Sequence, residues 1–117
     1  MGIPEAFPLN DRPIQLGSGT TIRFFNLMVD ISPSVVSMHV QYDTQIPSAD
    51  LDARIAEARD AIKHFSDRAR REGARRAYAE ICSTVEQAAT RERPEQIFQF
   101  ELRDESSWEF LGLAPLS

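Results

Sequence analysis

A chain of 117 residues with a net charge of −5 has room for one modest hydrophobic core, and its acidic balance argues against fold-wide attraction to nucleic acid. The single cysteine, Cys82, excludes an internal disulfide and fits a reducing compartment. No basic start followed by an apolar run opens the sequence, and the most apolar stretch, 22–31, is broken by Arg23, Asn26 and Asp30, so a soluble cytoplasmic protein is expected.

In chain order, residues 1–12 carry Pro4, Pro8, Asn10 and Asp11 and read as an extended N-terminal arm. A β-meander follows over 13–43. Pro13 can open an edge strand but cannot sit in a central ladder, and Gly17-Ser18-Gly19 supplies the positive-φ positions of a tight turn. The β-branched and aromatic run from Thr20 to Ile31 is apolar on both faces. Simple alternation puts Ile22, Phe24 and Met28 on one side and Phe25, Leu27, Val29 and Ile31 on the other. After the Ser32-Pro33-Ser34 turn, Val36, Met38, Val40 and Tyr42 alternate with Ser37, His39, Gln41 and Asp43, the pattern of a half-buried strand.

Residues 48–93 read as one long or broken helix, opened by Ser48 as N-cap with Asp50 and Asp52, and closed by Arg91, Arg93 and Pro94. Unbroken, it would run roughly 65 Å at 1.5 Å per residue, whereas a chain of this size has a radius of gyration of about 13 Å. Its apolar positions form two stripes: Leu51, Ile55, Ala58, Ile62, Phe65 and Ala69, then Ala74, Tyr78, Ile81, Val85 and Ala88. On a straight helix the stripes would be rotated by about 140°, with Gly73 at the junction. Either the chain bends at Gly73, or a second copy covers Ala74, Tyr78, Ile81 and Val85 in a homodimer. A β-hairpin over 96–113 completes the chain, with Phe98, Phe100 and Leu102 on one strand and Trp108 and Phe110 on the other. The expected fold is a single α+β domain over 1–117. It has an antiparallel sheet of four or five strands and a long helix kinked or passing straight at Gly73.

Chemistry-bearing patterns are sparse. Two histidines and one cysteine supply no metal motif, so neither metal nor cofactor is expected. Gly17-Ser18-Gly19 leads into a strand and lacks the helix N-terminus and lysine of a phosphate loop. Ser37, His39 and Asp43 share a strand face, but at about 7 Å per two residues they are too far apart along the strand for a nucleophile–base–orienter relay. Glu101, from a neighbouring strand, is a conceivable acid partner for His39. Cys82, beside Ile81 and Val85, reads as a buried small hydrophobe.

The sharpest local signal is basic. Residues 54–76 hold eight basic against four acidic residues, while the rest of the chain holds five against fourteen. Arg68, Arg71 and Arg75 fall at i, i+3 and i+7, although Asp67–Arg71, Arg68–Glu72 and Glu72–Arg76 also form the i, i+4 lacing of a solvated helix. The expected function is therefore a non-enzymatic protein-binding module that occludes a partner's surface, of inhibitor, immunity, phage counter-defence or secretion-chaperone type. Its anchors are Arg68, Arg71, Arg75, Arg76 and an exposed Trp108. The alternatives are a dimeric nucleic-acid-binding regulator using Arg70, Arg71, Arg75 and Arg76 of the same basic stretch, and a ligand-binding protein or enzyme with a pocket lined by Phe24, Phe65, Tyr78 and Phe100.

Overall fold

A computed structural model describes residues 12–90, 94–104 and 107–114; most of the expected N-terminal arm lies outside them. Among the described residues, six strands form one sheet in chain order: β1 (Arg12–Gln15), β2 (Thr21–Ile31), β3 (Val36–Asp43), β4 (Arg76–Ile81), β5 (Gln96–Leu102) and β6 (Trp108–Leu113). All neighbours are antiparallel except β3 and β4. The architecture is α+β with a mostly antiparallel sheet of six strands, not four or five. The parallel pair requires a crossover, which α1 (Leu51–His64) and α2 (Ser66–Arg71) provide; α3 (Val85–Thr90) lies between β4 and β5.

The expectation of a helix over 48–93 is corrected. Helix α1 is capped by Asp50, whose carboxylate accepts from the Ala53 amide, not by Ser48. The helical path breaks at Phe65 and resumes for two turns. It ends where Gly73 takes a φ of +81°, a conformation that favours glycine. Beyond Gly73 the chain becomes a strand. Ala74, Tyr78 and Ile81 therefore share no helix face: Ala77, Ala79 and Ile81 point to the core, whereas Arg76, Tyr78 and Glu80 point to the opposite side. The stripe offered as a dimer surface does not exist, since Ala74 and Ile81 are inside the core and Val85 belongs to α3.

A second correction concerns β2. A bulge between Phe24 and Asn26 inserts one residue against β3, reversing the alternation beyond it. Ile22, Phe24 and Leu27 consequently face the core together. Phe25 packs on the other side with Cys82 and Ala88, and Met28 stands opposite His39. The core lies between one sheet face and α1, which contributes Ala58, Ala61 and Ile62; Phe65 stacks on Phe24 at 5.1 Å between ring centroids. Trp108 is in this core at 4% exposure and pairs with Leu102. It is not an exposed anchor, because strand alternation turns it inward with Phe110.

No helix among the described residues is long and apolar enough to cross a membrane.

Candidate functional site: a basic end and a polar sheet face

The parallel pairing of β3 and β4 brings the starts of both strands to one end of the sheet, and the antiparallel β5 ends there too. Backbone bonds lock this end: the Arg75 amide donates to Val36 O at 3.1 Å, and the Leu102 amide donates to Arg75 O at 2.9 Å. A groove of about 530 Å³ opens between Arg70, Gly73, Arg75, Leu102, Arg103 and Asp104. Three separate segments thus deliver guanidinium groups: the end of α2, the lead-in to β4, and the β5–β6 connection.

The predicted arginines divide. Arg75 lines the groove and donates to Leu102 O at 3.4 Å. Arg71 is exposed on the last residue of α2. Arg68, one turn earlier, is half-buried and is not among the groove residues. Arg76 has entered β4, where its guanidinium pairs with Glu101 at 3.1 Å. Two further arginines, Arg70 and Arg103, join the groove. Arg70 also pairs with Asp67. Arg103 pairs with Glu101 and Glu109, and the hydrogen bond from Arg103 holds the exposed Glu109 carboxyl below its ordinary range. Arg103 lies 27 residues from Arg76, so no local spacing could link it to this end.

The sheet face away from α1 carries a second cluster. Across β2, β3 and β4, Asn26, Ser37, His39, Gln41 and Glu80 are all buried, and side-chain hydrogen bonds link them. Asn26 Nδ2 donates to Gln41 Oε1 at 3.3 Å, and Gln41 Nε2 donates to Glu80 Oε1 at 3.1 Å. His39 Nδ1 lies 2.7 Å from Glu80 Oε2, and His39 Nε2 lies 3.3 Å from Ser37 Oγ. Tyr78 stacks on the imidazole at 4.8 Å. The expectation that Ser37 and His39 lie too far apart is corrected, because the two side chains lean toward each other along β3. Glu80 lies in the stretch whose helical spacing hides its strand position; Glu101, the acid expected beside His39, pairs with Arg76 and Arg103.

Under the other face, Glu57 of α1 is 3% exposed, and neither carboxylate oxygen has a hydrogen-bond partner. Burial raises its pKa, an effect only partly offset by Thr44 and Arg54. Arg54 is itself committed to Ile46 O, Glu95 and Gln96. The Tyr42 hydroxyl beside it is likewise unpartnered and pushed up by burial and by Glu57. Burial pushes the Cys82 thiol up to about 12, with Glu80 and Asp43 adding to the effect. No group of three or more histidine, cysteine or acidic side chains is placed to hold a metal ion among the described residues. Phe24, Phe65 and Phe100 pack in the core whereas Tyr78 is on the opposite face, so the four cannot line one pocket.

Comparison with protein-family profiles, curated proteins and solved structures found no match to this chain.

Proposed function

We propose that this chain is a protein-binding module that acts by occluding a partner's surface, in the manner of an inhibitor, immunity protein, counter-defence protein or secretion chaperone. The acidic segment of the partner docks at the basic end. The observation that carries this reading is the groove between α2, the start of β4 and the β5–β6 connection, where Arg70, Arg75 and Arg103 converge from three segments. Guanidinium forks recognise carboxylates bidentately, and the exposed Arg71 extends the positive surface beyond the groove.

A nucleic acid would draw on the same charges. The groove favours an acidic peptide, because among the described residues its lining holds no aromatic ring on which a base would stack. Fluorescence anisotropy with a dye-labelled Glu/Asp-rich peptide and with a short DNA duplex separates the two. Peptide binding that weakens at least tenfold in the Arg71→Glu/Arg75→Glu double variant is expected. Unchanged peptide binding in that variant removes the basic end from the proposal, and preferential salt-sensitive duplex binding replaces it with the nucleic-acid reading.

A further inference from the structure

The polar face of the sheet contains a hydrogen-bonded chain of side chains that docking at the basic end does not use. Glu80 accepts from Gln41 at one oxygen and is bonded to His39 Nδ1 at the other. A carboxylate at that position favours the proton on Nδ1, which in the neutral imidazole leaves Nε2 as an acceptor. Nε2 then faces the Ser37 hydroxyl at 3.3 Å. Serine, histidine and carboxylate thus stand in the sequence of roles by which a hydroxyl is activated for attack, with Gln41 and Asn26 steadying the carboxylate from behind. Arg76 faces Ser37 in register across the parallel ladder, on the same side of the sheet. Its guanidinium, although paired with Glu101, is the cation at the strand position next to Ser37, where negative charge develops on the carbonyl oxygen of the adduct.

We propose that Ser37 is a nucleophile that accepts an acyl group from a small activated ester. The Ser37 Oγ–carbon bond forms as the carbonyl is attacked, and the hydroxyl proton passes to His39 Nε2. Collapse of the adduct breaks the bond to the leaving alcohol, which takes that proton, so the chain is left acylated on Ser37 and His39 is neutral again. Ser37 and His39 are the catalytic residues; Glu80 is a positioning residue that sets the tautomer. At 8% exposure for Ser37 and 9% for His39, only a compact acyl donor reaches the hydroxyl. The step is independent of which partner occupies the basic end.

The test treats the full chain with p-nitrophenyl acetate and follows p-nitrophenolate release, intact mass and the modified peptide. One acetyl group on Ser37 is expected, with that adduct lost in Ser37→Ala and formed about 100-fold more slowly in His39→Gln. Imidazole ¹⁵N shifts supply the positioning readout: the Nδ1–H tautomer is expected in the wild-type chain and its loss in Glu80→Gln. Acetyl groups only elsewhere, an unchanged rate in His39→Gln, or an Nε2–H tautomer in the wild-type chain would overturn the proposal. The tautomer measurement decides the matter if His39→Gln fails to fold.

Discussion

Glu57 is the residue at which stability and titration meet. A buried carboxyl with a raised pKa keeps its proton in the folded chain after the unfolded chain has released it. Stability is therefore fullest below the unfolded carboxyl's pKa and falls as pH rises through the folded one. Glu57→Gln removes that dependence. It is expected to gain about 1 kcal/mol over the wild-type chain in mildly alkaline buffer, with the gap closing in acid. Urea unfolding across the pH range reads this directly, and parallel curves for the two chains would place the ionised carboxylate in a solvated setting instead. Cys82 makes a similar point. With its thiol pushed up to about 12 and its side chain packed with Phe25 and Ala88, it is expected to resist a disulfide reagent near neutral pH until the chain unfolds. Rapid labelling of the native chain would contradict the packing of α3 on β2.

At the scale of elements, β4 decides the fold. Its residues include alanines and a glutamate, good helix formers, and Ala74, Tyr78, Ile81 and Val85 happen to recur at helical spacing. Tertiary context overrides that propensity: β4 sits between β3 and β5, and small side chains at Ala77 and Ala79 let α1 approach the sheet. Ala79→Leu is therefore expected to cost about 1–3 kcal/mol by overpacking. In an exposed helix the same change would be nearly neutral, so denaturant midpoints separate the two descriptions. The other strands were legible because β3 and β5 alternate cleanly and Trp108 and Phe110 flank Glu109 in β6, and α1 because its apolar positions recur every three or four residues. The bulge in β2 was not legible, since Phe24, Phe25 and Asn26 carry no local mark of the extra residue. Nor was the His39–Glu80 bond, which joins residues 41 apart through a parallel ladder that the helical spacing of 74–88 conceals.

Over the whole molecule, charge is sorted rather than spread. Residues 54–76 carry the basic excess of an otherwise acidic chain, and the fold gathers part of it, with Arg103 from a distant segment, around one groove. The basic character of 68–76 was readable from composition. Its division into a groove-lining Arg75, a ladder-bound Arg76 and a half-buried Arg68 depends on where α2 stops and β4 begins, which Gly73 sets. Docking at this end should weaken with salt, as the Debye length of about 10 Å at 0.1 M implies for surface charges. The most direct measurement follows the arginine Nε–H signals in a ¹H–¹⁵N spectrum while an acidic peptide is titrated into the intact chain. Docking at the groove predicts that Arg70, Arg75 and Arg103 shift together with one shared affinity, while Arg23 and Arg54 stay in place. Shifts spread evenly over all the arginines, or confined to residues away from the groove, would contradict it.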